Sequence, residues 1–242
     1  MYPERPETYI KRRIIMGQVI ILPETVVNPI TVIGRNAAIC YDSDITDDEK
    51  NYKRGIDCIT QRHGRALEYA AVHMVLDGYS AKVIREFYTH IGGAPTRLQS
   101  STRYIEYGNF KYVVPPSIKS NPAAAALYQT AMLELRERIK TLQEIHQIPK
   151  EDSSMLLPFG MTTKVVVRTN ARNLMDMSRN RECSTAFWEY RDELFPDIKQ
   201  KLSEYSNEWH SFIDLTFHPK CVELGYCPEN KSCGRYPRQL VK

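Results

Sequence analysis

No stretch of the 242 residues approaches the ~20 consecutive apolar positions that a membrane-spanning helix needs, so no membrane partner is expected. Charges at Glu4, Arg5, Glu7, Lys11, Arg12 and Arg13 come before any apolar run. That is not the layout of a secretory leader, and a cytoplasmic protein is expected. Net charge is also scarce: 33 Lys and Arg against 29 Asp and Glu leave +4, spread along the chain. This is too little and too dispersed to mark a nucleic-acid partner, though it suits a small anionic ligand. The chain has no internal repeat, low-complexity tract or long linker, and no Gly-x-Gly-x-x-Gly fingerprint of a Rossmann dinucleotide site. It also lacks a Cys-x-x-Cys pair, and six cysteines without a leader read as thiols or metal ligands, not as a disulfide framework.

What is present is a chain 42% apolar, enough to bury one sizeable core. One α+β domain is expected over residues 1–210, followed by a cysteine-containing tail over 211–242. Gln18-Val19-Ile20-Ile21-Leu22 and Pro29-Ile30-Thr31-Val32-Ile33-Gly34 are β-branched runs bounded by proline and glycine, read as two strands. Residues 44–62 read as a helix capped by Asp44 or Thr46. Residues 70–76 fit strand or helix until Gly78 ends them, and Ser80 caps a helix through about Thr89. Gly92, Gly93 and Pro95 then force a loop. Asn121-Pro122 opens a long amphipathic helix carrying Tyr128, Ala131, Leu135, Ile139, Leu142 and Ile145. Lys164 to Val167 reads as a buried strand that Asn170 turns into a helix bearing Leu174 and Met177. A further helix starts near Ser184 and bends near Pro196.

Polar chemistry concentrates in two places. The first runs from His63-Gly64-Arg65-Ala66-Leu67-Glu68-Tyr69, through Arg85 to His90, to Pro95 to Tyr104; the second is Arg168 to Arg172 with Asp176, Arg179 and Arg181. Small residues, hydroxyls and two arginines between Gly92 and Arg103 suit phosphate oxygens, although such loops are also common as solvated turns.

Both segments carry a resemblance. His63 to Tyr69, the ending Ser101-Thr102-Arg103-Tyr104, the block Asn170-Ala171-Arg172-Asn173-Leu174-Met175-Asp176 with Arg181, and Ala186-Phe187-Trp188-Glu189-Tyr190-Arg191 occur in the order found in flavin-dependent thymidylate synthases. The likeness covers about residues 15 to 205. It implies that family's α+β fold, a mixed sheet with long helices, assembled as a homotetramer. The matching motifs in the family are His-x-x-x-x-Glu-His, Arg-His-Arg-x-x-Ser-x-Asn-Glu-x-Ser-x-Arg-Tyr, an Asn-x-Arg block and Ala-Gln-Trp-Glu-Ile. This chain departs from them: Tyr69 replaces the second histidine, Thr89-His90-Ile91 stands at Arg-His-Arg, and Leu98 and Gln99 stand at Asn and Glu. The span from His90 to Arg103 is two residues longer than in the family, and Ser154 falls where members often have a phosphate-binding arginine. Arg97, in the enlarged loop, is inferred to restore the lost charge.

The resemblance implies reductive methylation of dUMP to dTMP with FAD, 5,10-methylenetetrahydrofolate and NADPH, and no covalent enzyme nucleophile. Arg181 is expected to stabilise charge on the uracil ring. With it, Glu86, Phe87, Tyr88, Thr89, Gln99, Ser100, Ser101, Thr102 and Arg103 would line the nucleotide. His63, Arg65, Thr89, His90, Ile91, Arg97, Gln99, Asn170, Ala171, Arg172 and Asp176 would meet FAD. Separately, Cys221, Cys227 and Cys233, with five residues between each and the next, suggest Zn²⁺ or an iron–sulfur cluster with Cys183, or else His218, as fourth ligand. Two alternatives stay open: a related flavoenzyme acting on another pyrimidine nucleotide, and a metal-containing nucleic-acid-binding module.

Overall fold

The computed structural model describes residues 17–92 and 95–238; Gly93 and the charged first residues lie outside them. Four strands, β1 (Gln18–Ile21), β2 (Ala71–Ser80), β3 (Thr96–Gln99) and β4 (Thr162–Asn170), form one sheet in the order β1-β2-β4-β3. Every pairing is antiparallel, which corrects the expectation of a mixed sheet. The strand sequences agree with this, because an antiparallel sheet needs only one fully buried face. Val72, Met74, Leu76, Val165 and Val167 are buried, while His73, Lys164 and Arg168 are not. Gly78 does not end β2. It takes φ 84° at a register shift between Asp77 and Tyr79, a bulge that lets the strand run on to Ser80.

The second expected strand is a helix, α1 (Pro29–Ala38). Proline at its start is preorganised for a helix, and the β-branched preference of the run yields to packing against α2 (Asp48–Thr60). Two glycines make that crossing close. A Cβ on Gly34 would lie 1.8 Å from the Asn51 carbonyl oxygen, and one on Gly55 would lie 2.0 Å from that of Ile30. Gly34→Ala is therefore expected to cost roughly 1–3 kcal/mol, near the upper end because the obstruction is backbone. An unchanged melting temperature would contradict this packing account. The cap of α2 is Asp47, which accepts the Lys50 N–H, while Asp44 accepts the Thr46 N–H in the preceding turn.

Arg62, at φ 62°, turns the chain from α2 into the short α3 (Gly64–Leu67) that leads to β2. Ser80 caps α4 (Ala81–Phe87) as expected, its hydroxyl accepting the Val83 N–H at 3.1 Å. The segment expected to be a loop contains β3, an edge strand paired to β4. A short α5 (Pro116–Lys119) precedes α6 (Pro122–Glu144), which is capped by Asn121 and buries Met132 and Ile139 in a small cluster with Tyr107, Phe110 and Met161. After α7 (Lys150–Ser153) and β4, Asn170 caps α8 (Ala171–Arg181), with Leu174 and Met177 fully buried.

The next helix begins at Trp188, later than expected near Ser184. It passes through a wide π turn, Tyr190–Leu194, into α9 (Phe195–Tyr205), with Pro196, which has no N–H to donate, directly after that turn. α10 (Asn207–Thr216) runs through position 210 and puts Trp209, Phe212 and Ile213 into the main core, so the packed unit extends past that boundary. α11 (Lys220–Leu224) then ends at Gly225 in the left-handed conformation. Among the described residues no helix is long and apolar enough to cross a membrane.

Candidate active site

Helix α8 is the spine of the site. It leaves β4 beside the start of β2, and Arg172 in its first turn stands nine residues before Arg181 at its end, about 13.5 Å at 1.5 Å per residue. The residues singled out in the sequence gather at these two ends.

At the far end, Arg181 meets the last turn of α4. Its Nε–H donates to His90 Nε2 at 3.0 Å, Nη1 to Glu86 Oε2 at 3.2 Å, and Nη2 to Thr89 Oγ1 at 3.4 Å. The guanidinium lies over the ring of Tyr190, 4.9 Å from its centroid. Burial, then the charges of Arg181 and Arg97, push His90 down from its ordinary 6.5 to about 4. The imidazole is therefore neutral at physiological pH, as an acceptor at Nε2 must be. Because the folded value is depressed, an unfolded chain takes up this proton first as pH falls. The stability contributed by neutral His90 is complete above pH 6.5 and is lost between 6.5 and about 4. His90→Gln is expected to flatten that part of the melting-temperature profile, and an unchanged profile would contradict the assignment.

Arg97 reaches the same turn from β3. Nη1 donates to the Tyr88 carbonyl at 3.2 Å, Nη2 donates to the His90 carbonyl, and the guanidinium stacks on the Tyr88 ring at 4.8 Å. The charge of Arg97 thus lies against the backbone of Tyr88 and His90, which engages two of its nitrogens. Tyr88 donates to Gln99 Oε1 at 2.9 Å, and Gln99 donates to Thr163 at 3.1 Å. Phe87 is buried under this layer and Ile91 is exposed. Ser100 lies on the extension of β3, its N–H on the Lys164 carbonyl, while the Ser101 hydroxyl accepts the Arg103 N–H. Thr102 is exposed, and Arg103 pairs with Glu151 at 2.7 Å on the surface. The Ser154 hydroxyl donates to the Glu151 carbonyl.

At the near end, Arg172 pairs with Glu68 at 2.5 Å, and Glu68 also meets Arg65 at 3.5 Å. Asp176 lies 3.9 Å from Arg172 and 2.8 Å from Arg179, and Arg179 lies 2.7 Å from Glu223 beyond α10. Asn170 and Ala171 are buried: the Asn170 side chain accepts the Asn173 N–H, and the Ala171 N–H donates to the Ala70 carbonyl. Exposed His63 and Arg65, with Gly64, form one wall of a cavity of about 470 Å³. The sequence had not marked the other walls, Asn36, Cys40, Tyr41 and Cys58, and exposed Tyr69 was noted only as a departure.

The cysteines do not make the expected centre. Among the described residues no group of three or more His, Cys, Asp or Glu is arranged to hold a metal ion, which removes the support for Zn²⁺ or an iron–sulfur cluster at Cys183, Cys221, Cys227 and Cys233. The four thiols line a hollow of only about 20 Å³. Cys183 Sγ accepts the Thr185 hydroxyl at 3.3 Å, and His218 is turned to Glu223 at 3.4 Å.

The fold is that of an α+β protein of a known structural class. A flavin-dependent thymidylate synthase ThyX from Helicobacter pylori, solved in complex with FAD and dUMP, superposes with a TM-score of 0.63 at 19% identity, covering 80% of this chain and 98% of that one. The family model described as thymidylate synthase complementing protein matches residues 22–202, and the chain belongs to that family. Proteins named flavin-dependent thymidylate synthase resemble it in sequence. That of Thermococcus onnurineus is 31% identical over 70% of this chain and 69% of its own, and that of Clostridium tetani is 25% identical over 91% and 94%.

Proposed function

We propose that the protein methylates dUMP to dTMP with FAD, 5,10-methylenetetrahydrofolate and NADPH, in the cytoplasm and as a homotetramer. The observation that carries this reading is Arg181, held at the end of α8 by Glu86 of α4 and by Thr89 and His90 just beyond it, and backed by an aromatic ring.

The near end of α8 suits FAD by the chemistry of its groups. Arg65 and Arg172 offer charge for phosphates, Tyr41 and Tyr69 offer flat apolar faces, and the backbone at Gly64 comes so close to Arg172 that an added Cβ would lie 3.2 Å from its guanidinium. His63, Arg65, Arg172 and Asp176 would hold the group through side chains, with Asn170 and Ala171 shaping the turn beneath. When bound and reduced, FAD supplies the hydride for the pyrimidine.

The chain's own part is binding and electrostatics. Arg181 stays protonated and presents a planar fork, which suits negative charge growing on a uracil ring as C5 becomes nucleophilic. Neutral His90 accepts from Arg181 Nε and leaves that charge undiminished. Tyr88, Gln99, Ser101, Thr102 and Arg103 would line the nucleotide.

Thr89 and Ile91, together with Ser154, favour a second reading: a related flavoenzyme acting on another pyrimidine nucleotide. Tritium release from dUMP labelled at C5 separates the two. Release coupled to dTMP formation supports the first, and its absence in flavin-loaded, reduced protein supports the second.

A further inference from the structure

Tyr190 lies beneath Arg181. It opens the π turn between α8 and α9 and is fully buried. Its ring stacks on Phe87 at 6.3 Å and on Phe195 at 6.0 Å, takes the edge of His90 at 6.3 Å, and carries the Arg181 guanidinium at 4.9 Å. The buried hydroxyl has no hydrogen-bond partner among the described residues, so what places this side chain is its ring.

Its neighbour completes the arrangement. Glu189 is 1% exposed, and its carboxylate accepts the Ser80 N–H at 2.7 Å and the Ser80 hydroxyl at the head of α4. Tyr190 meets Phe87 and His90 at the tail of the same helix. Two consecutive residues thus grip both ends of the α4 turn that holds Arg181.

We propose that Tyr190 is a positioning residue that sets the plane of the Arg181 guanidinium and so the edge offered to the pyrimidine, an inference that rests on the proposed role of Arg181. Hydrogen bonds from Nε, Nη1 and Nη2 fix the guanidinium within its plane. A ring face below fixes its height, by attraction between the cation and the π cloud in a site largely closed to water.

The test combines kinetics with a readout independent of turnover. Tyr190→Ile is expected to lower kcat roughly tenfold while KM for dUMP changes less, and Tyr190→Phe to restore most of the rate. In an Arg181→Met background Tyr190→Ile should add no further loss, because it acts through the missing group. Equal losses in both backgrounds, or a Tyr190→Ile rate within twofold of the parent, would overturn the proposal. By NMR, the Arg181 Nε–H of the unaltered protein should be shifted upfield by the ring and exchange slowly. A solvent-like shift there overturns the proposal whether or not Tyr190→Ile folds. Absence of dTMP formation by the unaltered protein, with the ring-shifted signal present, would instead count against the synthase reading.

Discussion

Arg181→Met should lower the rate of dTMP formation by about 10²–10³, the range found when a donor aimed at developing charge is removed. The side chain lies mainly against polar groups and the face of Tyr190, so the fold should survive. Glu86 and His90 would each lose their arginine partner. Arg181→Lys keeps the charge but cannot reproduce the three-way fork, and should recover only part of the loss. A kcat within threefold of the parent for Arg181→Met would remove Arg181 from the chemistry and leave it a packing residue.

Arg172→Met should weaken FAD binding roughly ten- to hundredfold, the cost of one charge-assisted hydrogen bond in a partly buried setting. The prediction follows from the position of Arg172, packed on Gly64 and paired with Glu68 beside the His63 wall of the larger cavity. Titration of flavin-free protein, followed by quenching of flavin fluorescence, measures the change. Lys53→Met, on the exposed side of α2, should leave the affinity as it was. Equal affinities for all three proteins would move the flavin site away from the first turn of α8.

Features decided by near neighbours in the chain were legible in the sequence. Ser80, Asn121 and Asn170 were read as caps because a short polar side chain before a periodic run can satisfy a free N–H two or three residues on. The passage from β4 into α8 followed from the same logic. Residues 29–34 were misread because their β-branched side chains speak for a strand, while the close approach that decides for helix involves Gly55, far along the chain. β3 was missed because four residues, Thr96 to Gln99, with none fully buried, carry no periodic signal.

The candidate site divides in the same way. Its arginines and His90 stood out through a known motif, but the rings beneath them did not. Phe87 was read as facing the nucleotide and is buried instead, because α4 turns its apolar side onto Tyr190. Arg97 lies against the backbone of Tyr88 and His90. Its engagement with the carbonyls of Tyr88 and His90 depends on a strand pairing that the sequence does not display. The cysteines lay at suggestive intervals and do line a common hollow, yet spacing alone could not show that the thiols fail to converge as ligands.

The most direct test of the central claim is the visible spectrum of the purified protein, recorded before and after dUMP is added. Oxidised-flavin bands that shift with dUMP, followed by dTMP formation once methylenetetrahydrofolate and a reductant are supplied, are the expected result. A colourless protein that takes up no added FAD would contradict it.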